Sequence, residues 1–182
     1  EFNLETMDVI SQSELFTFDL KQHKSDTEDF ADAFIKAVQK RVDGAIHPVF
    51  LGLSSGYDSG LIHATLIMLQ QKHHTYTIYG KEDMNILQQR FQSAGELGEA
   101  NLILLAEDDL NSEYSFLKEQ CEPFDYSPLR FGDQGGQVTD DPASIGMSYI
   151  FWRCRERGHL VYLSGTGADE IISDYAKDGK KL

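Results

Sequence analysis

A short apolar run that breaks abruptly into small and acidic residues is the part of the sequence best suited to chemistry. The segment from Pro48 to Ser59 reads PVFLGLSSGYDS. Residues 49–53 are apolar without alternation, which predicts a strand buried on both faces, and residues 61–71 predict the helix that follows. The small residues at 54–56 let a ligand approach backbone amides, and the N-terminus of a helix favours an anion. This pattern suits a phosphate.

The acidic side chain in this loop favours a phosphate site over a plain turn. A strand, a Ser/Gly turn and a helix also occur in many α/β domains that hold no ligand. The carboxylate of Asp58 would repel phosphate unless a cation lay between them, so Asp58 fits a Mg²⁺ ligand beside a polyphosphate. The loop lacks the GxxxxGK[ST] pattern of a Walker loop, and no Lys supplies the point charge of that motif.

A second group of small and acidic residues follows a predicted strand about a hundred residues later. Residues 163–170, LSGTGADE, resemble the LSGEGADE segment of asparagine synthetases and β-lactam synthetases. Residues 54–59, SSGYDS, resemble the SGGxDS loop of ATP pyrophosphatases, with Ser55 where the first Gly normally stands. The two segments together resemble the asparagine synthetase-like branch of that superfamily, and the resemblance runs from about Asp26 to the C-terminus.

This resemblance implies an adenine nucleotide alpha hydrolase-like fold, which is a Rossmann-like α/β fold, and a set of contacts to ATP. Asp58 and Asp169 would share Mg²⁺ that bridges the β and γ phosphates. Without the resemblance, an acidic pair at Asp169 and Glu170 would be better explained by the dipole of a helix N-terminus. An aromatic side chain at Tyr79 is equally consistent with the core. The remaining implied contacts are Leu53 and Tyr79 for adenine, and the loop residues Ser54, Ser55, Gly56, Ser59, Ser164 and Gly165.

The reaction that the resemblance implies is ATP-dependent amide formation. A carboxylate of a small molecule or peptide attacks the α-phosphate, pyrophosphate leaves, and an amine or ammonia attacks the acyl adenylate. Thr166 stands where the family usually has a catalytic Glu, and a hydroxyl is a poor general base near neutral pH. Glu170 and Asp174 are nearby acidic candidates to compensate. The competing hypothesis is a catalytically impaired nucleotide-binding domain or subunit that needs a second chain.

Residues 1–25 are interpreted as an N-terminal arm or linker and residues 26–182 as the ATP pyrophosphatase domain. The chain begins at Glu1 and its cysteines are internal, so we expect the family's glutaminase domain, whose nucleophile is an N-terminal Cys, to lie outside this chain. We expect the same of the C-terminal helices of the family domain, because the chain stops at Leu182.

Composition favours one folded domain and argues against nucleic acid as a partner. The 182 residues are 41% hydrophobic, which is ordinary for a globular protein. Sixteen Lys and Arg against 30 Asp and Glu give a formal charge of −14, which repels a phosphate backbone. The sequence shows no membrane span or signal peptide, and its two separated cysteines suit a reducing compartment. We therefore expect a cytoplasmic protein with no nucleic-acid or membrane partner.

The rest of the chain predicts alternating helices and strands. Such alternation indicates a parallel, twisted sheet with flanking helices and right-handed crossovers, which binds ligands at the carboxyl ends of its strands. Besides the elements around the first loop, the predicted helices cover 27–42, 82–95, 108–119 and 143–157, and the predicted strands 75–79, 101–105 and 160–163.

Three further predictions concern stretches without clear periodicity or with histidines. Residues 14–20 give a weak strand signal within the arm. Residues 121–141 lack periodicity and fit either a substrate lid or a plain surface loop. The histidines His23, His73 and His74 are predicted to lie on solvated edges.

Overall fold

The computed structural model describes residues 3–13, 25–80, 82–122 and 141–167. The chain forms two compact units, Glu1–Phe34 and Ile35–Leu182. In the first unit, Asn3 Oδ1 accepts hydrogen bonds from the amides of Glu5 and Thr6 at 2.9 and 3.2 Å, which closes a turn. Outside the described residues lie the predicted strand at 14–20, nearly all of the predicted lid, and His23, Asp169, Glu170 and Asp174.

The helices and strands alternate as the sequence predicts, although most of their ends are shifted. The helices are α1 (Glu28–Val42), α2 (Tyr57–Met68), α3 (Met84–Ala94), α4 (Glu107–Gln120) and α5 (Pro142–Glu156). The strands are β1 (Val49–Gly52), β2 (His73–Ile78), β3 (Gly98–Ile103) and β4 (Val161–Leu163), and a 3₁₀ turn at Gly95–Leu97 precedes β3.

The strands form one parallel sheet in the order β3-β2-β1-β4. Val49 of β1 lies opposite His73 of β2 on one side and opposite Val161 of β4 on the other. The apolar run of β1 therefore occupies an interior position, whereas β3, which carries the exposed Glu99, lies at an edge. This arrangement confirms the predicted α/β fold class, a parallel sheet with flanking helices.

The two faces of the sheet are covered by different helices. Phe50 and Tyr76 pack on Ile150 and Cys154 of α5, and the Phe50 and Tyr76 rings meet edge to face at 6.0 Å. Helices α2 and α3 pack on each other, and α4 packs on α5. His63 of α2 contacts His73, whose side chain alternates with that of Tyr76 along β2, so α2 covers the opposite face. The sheet is a middle layer that fixes the loops at its strand ends.

Helix α2 begins four residues earlier than predicted, at Tyr57 rather than residue 61. The sequence placed Tyr57, Asp58 and Ser59 in a turn because Gly and polar residues punctuate structure. Polar residues are also common in the first turn of a helix, and this second role prevails here. Asp58 therefore lies in the first turn of α2.

Among the described residues, no helix has both the length and the apolar character that a membrane span needs.

Candidate functional site

The chain reverses its direction across the sheet between β1 and β4. From β1 it proceeds to β2 and β3 on one side, and it later returns to place β4 on the other side of β1. In open α/β sheets, ligands bind at such a reversal, outside the carboxyl ends of the two strands. Residues 54–56 and 164–167 follow those two ends. The fold therefore brings both predicted loops to the crevice where ligands bind in this class of sheet.

The two loops are in direct contact at Gly165. A Cβ atom on Gly165 would lie 3.0 Å from Asp58 Cβ and 3.1 Å from the amide nitrogen of Ser59. These distances are closer than ordinary van der Waals contact, so a side chain at this position would require its neighbours to shift by a few tenths of an ångström. The second loop is shaped by Ser164, whose hydroxyl donates to Thr166 Oγ1 at 2.9 Å and accepts from the Thr166 amide at 3.1 Å.

The first loop is closed by hydrogen bonds between its own serines. The amide of Ser54 donates to Ser59 Oγ at 3.1 Å, and the two hydroxyl oxygens lie 2.9 Å apart. The amide of Gly56 donates to Ser54 Oγ at 3.1 Å. Ser59 is buried. Two of the predicted ATP contacts, Ser54 and Ser59, thus use their hydroxyl groups to shape the loop.

The N-terminus of α2 lacks the side-chain cap that α3 and α5 have. Asp83 caps α3 and Asp141 caps α5 by accepting hydrogen bonds from first-turn amides. At α2 the capping position is Gly56, which makes no such bond. The first-turn amides and the helix dipole of α2 therefore favour an anion at this end. The partly exposed carboxylate of Asp58 lies in the same turn.

The two residues predicted to face adenine lie at the same edge but differ in exposure. Leu53 is 2% exposed, and its carbonyl accepts a hydrogen bond from Thr77 Oγ1 at 2.6 Å. Tyr79 follows the last residue of β2, and its side chain is 51% exposed. Its amide donates to the carbonyl of Ile103 at 2.7 Å, which extends the β2–β3 pairing by one residue. Of these two residues, Tyr79 therefore offers an exposed ring against which adenine could stack, whereas Leu53 is buried.

Magnesium at this edge would have few protein ligands. Within the described ranges, no group of three or more His, Cys, Asp or Glu side chains could hold a metal ion. Mg²⁺ usually keeps several waters and binds through one or two carboxylates together with substrate phosphates. Asp58 therefore fits a magnesium ion that arrives with a polyphosphate. The predicted partner ligand, Asp169, lies outside the described residues.

Comparison with known families agrees with this geometry. Residues 29–181 match the sequence model of the asparagine synthase family, and the matched range contains both loops. The chain belongs to the asparagine synthase family. A comparison with curated proteins gives no match. Membership confirms the family resemblance of the sequence and identifies this chain as part of an ATP-using synthetase family.

Arg90 of α3 binds the backbone of the first loop, residues 54–59, and this role was not predicted from the sequence. Its Nη1 donates to the carbonyls of Ser54 and Gly56, the latter at 2.9 Å. Its guanidinium covers Gly60, where a Cβ atom would lie 2.5 Å from Arg90 Cζ. Nothing in the sequence indicated this role, because Arg90 is 36 positions from Ser54 and appears as one polar residue on a helix.

We expect Arg90→Met to loosen the loop. Losing hydrogen bonds from a charged donor to a half-buried carbonyl at Ser54 and an exposed one at Gly56 should lower the free energy of unfolding by about 2 kcal/mol. Amide hydrogen exchange at residues 54–60 should become faster, which mass spectrometry of the exchanged peptides would measure. Arg41→Met is the matched control, because Arg41 is exposed and donates to the Ala37 carbonyl in its own helix. Unchanged exchange in the Arg90 variant would contradict a role in shaping the loop.

A buried histidine pair ties α2 to β2 and α3 beneath the loop. His73 Nδ1 lies 2.9 Å from the carbonyl oxygen of Gln71, and His63 Nε2 lies 3.0 Å from the carbonyl oxygen of Arg90. The facing ring nitrogens, His63 Nδ1 and His73 Nε2, are 2.9 Å apart, and two neutral rings supply two N–H protons for these three contacts. His73 is 2% exposed, so the prediction of a solvated edge is wrong for this residue. The alternation of side chains along β2 places His73 on the face that α2 covers. His74 lies on the other face, is half-buried, and its Nδ1 is 3.2 Å from Glu99 Oε2.

The histidine pair should make the protein less stable in mild acid. Burial is the largest influence, and it lowers the pKa of both His63 and His73; the hydrogen bonds to carbonyls oppose it only in part. As pH falls below the unfolded value of about 6.5, the unfolded chain takes up protons that the folded pair does not, so stability falls. Urea unfolding at pH 7.5 and pH 5.5 measures this loss.

Two variants test whether the buried pair is the source of this pH dependence. His73→Gln should show a smaller loss of stability between the two pH values than the wild type. His47→Gln, at an exposed position before β1, should keep the wild-type dependence. Equal pH dependence in the wild type and the His73 variant would contradict the assignment.

Proposed function

We propose that this chain binds Mg-ATP across the carboxyl ends of β1 and β4 and activates a carboxylate as its acyl adenylate, for transfer to an amine or ammonia. The observation that carries the proposal is the contact of Gly165 with Asp58 and Ser59, because it joins the two family loops into one crevice. Family membership supports ATP as the nucleotide. The uncapped N-terminus of α2 supports a phosphate at this position.

In the proposed reaction, a carboxylate oxygen of the substrate attacks the α-phosphorus of ATP. A new carboxylate–phosphate bond forms, the bond to the bridging oxygen of pyrophosphate breaks, and pyrophosphate leaves with the electron pair. An amine nitrogen then attacks the acyl carbon and AMP leaves, which yields an amide and a proton. Asp58, with Asp169 as its proposed partner, would hold the Mg²⁺ that neutralises charge on the departing pyrophosphate.

Thr166 favours a second candidate, a nucleotide-binding subunit that completes the reaction only with another chain. The Thr166 hydroxyl accepts a hydrogen bond from Ser164 and is a weak base near neutral pH. It can support the shape of the loop, but it cannot take a proton from the attacking amine. Adenylate formation would then occur in this chain. A glutaminase domain or a second chain would carry out the amide step or supply the ammonia.

Pyrophosphate release separates these candidates. Purified protein with Mg-ATP is incubated with a panel of carboxylates that includes aspartate, and pyrophosphate and AMP are measured with and without ammonia. Pyrophosphate release that depends on one carboxylate supports the proposed activation step, and amide formation with ammonia supports the complete ligase. ATP binding without pyrophosphate release for any carboxylate favours the subunit. Absence of ATP binding contradicts both.

A further inference from the structure

A carboxylate of the protein itself accepts a hydrogen bond from a backbone amide of the first loop. Glu82 Oε2 accepts a hydrogen bond from the backbone amide of Ser55 at 2.5 Å and another from Ser55 Oγ at 2.6 Å. The contact spans 27 positions and connects the phosphate loop to the segment before α3. Glu82 is partly buried, so these bonds are not simply a flexible surface pair. We call this contact the Ser55–Glu82 latch.

The latch and a phosphate group compete for the same donor. A backbone amide has one proton to donate, and the Ser55 amide points it at Glu82. A phosphate oxygen can accept from that amide only after the carboxylate has left. The negative charge of Glu82 beside the loop also repels a polyphosphate. Both effects weaken the binding of an anion, and both disappear when the carboxylate is removed.

Ser55 strengthens the latch through its side chain. Its hydroxyl donates to Glu82 and accepts from the amide of Asp83 at 3.2 Å, so it bridges the carboxylate and the start of α3. The related loops that this segment resembles have Gly where Ser55 stands, and Gly offers no hydroxyl. The departure at this position therefore gives the carboxylate a second, charge-assisted hydrogen bond.

We propose that Glu82 is an affinity-determining residue of the nucleotide site, and that it lowers the affinity for the triphosphate of ATP by holding the Ser55 amide. This inference rests on the proposed function. Glu82 is free to leave without unfolding its surroundings, because α3 keeps its own cap: Asp83 Oδ1 accepts from the amide of Asn85 at 2.9 Å. Arg90 independently holds the carbonyls of the same loop.

Binding of Mg-ATP and of inorganic pyrophosphate to four proteins and one control variant tests the latch. Isothermal titration calorimetry compares the wild type with Glu82→Ala, which removes the acceptor, with Ser55→Gly and with the double variant. Each single change should tighten binding about tenfold, the scale of one competing charge-assisted hydrogen bond, and the double variant should gain little more because both changes release the same contact. Glu96→Ala is the matched control, since Glu96 is exposed in the turn after α3.

The sign of the change distinguishes the latch from a supporting role. If Glu82 held the loop in its binding shape, Glu82→Ala would weaken binding, and that result, or equal affinities in all proteins, overturns the inference. Amide exchange at Ser55 supplies a readout that needs no nucleotide, and it should be faster in Glu82→Ala than in the wild type. If no protein binds ATP, the proposed function fails. Exchange then decides separately whether the contact exists, and unchanged exchange overturns it.

Discussion

Asp58→Asn will reduce pyrophosphate release at least 100-fold. Asp58 lies in the first turn of α2, in contact range of Gly165 and beside the uncapped helix end. The substitution keeps the size of the side chain but removes the charge that would hold Mg²⁺ on the phosphates. Removing one preorganised electrostatic contact to a transition state commonly costs a factor of 100 to 1,000 in rate. The measurement is the initial rate of pyrophosphate release with Mg-ATP and the preferred carboxylate.

Asp108→Asn is the control for this prediction. Asp108 also lies in the first turn of a helix, α4, but it is exposed and follows β3 rather than β1. Its substitution should leave the rate within about twofold, because a surface charge away from the site is screened by solvent. A rate for Asp58→Asn close to that of Asp108→Asn would remove Asp58 from the proposed mechanism.

Gly165→Val will eliminate measurable Mg-ATP binding. Its Cβ alone would lie 3.0 Å from Asp58 Cβ and 3.2 Å from the carbonyl carbon of Asp58, and the two further methyl groups have less room. The first turn of α2 or the second loop must then move, which separates the parts of the crevice. We expect the free energy of unfolding to fall by about 1–3 kcal/mol, which is the usual cost of overpacking.

The matched control is Gly80→Val, just after β2. A Cβ atom there would meet nothing within 4 Å, so a larger residue fits without displacing neighbours. Calorimetry should give wild-type affinity for this variant, while circular dichroism confirms that both variants are folded. Tight binding of Mg-ATP by Gly165→Val would show that contact between the loops is not required for the nucleotide site.

The architecture could be predicted from the sequence because the local pattern of apolar residues indicates each strand and helix. The unbroken apolar run of β1 requires burial on both faces, and the parallel order then places both loops at one edge. Ends of elements were less predictable. Strand β3 begins at Gly98 rather than residue 101, because pairing with β2 from His73 onward extends it through the polar Glu99. An edge strand tolerates such a residue, and no local pattern indicates it.

The supporting contacts of the site could not be predicted for a different reason. Arg90 and Glu82 act on the first loop through single side chains from a segment about 30 positions away. Their roles depend on the direction in which α3 crosses α2, which periodicity does not encode. The prediction for His73 was wrong for a similar reason. Two adjacent histidines, His73 and His74, appear polar in the sequence, but contacts with His63 and a backbone carbonyl satisfy the His73 ring and make its burial acceptable.

The pairing of β4 with β1 has a consequence for how the crevice forms during folding. Residue 49 pairs with residue 161, so most of the chain must be ordered or looped out before these strands can join. Contacts between such distant positions carry a large closure entropy and tend to form slowly. We therefore expect the crevice to assemble at a late stage, so that nucleotide affinity during refolding would report the docking of β4 rather than the formation of β1, β2 and β3.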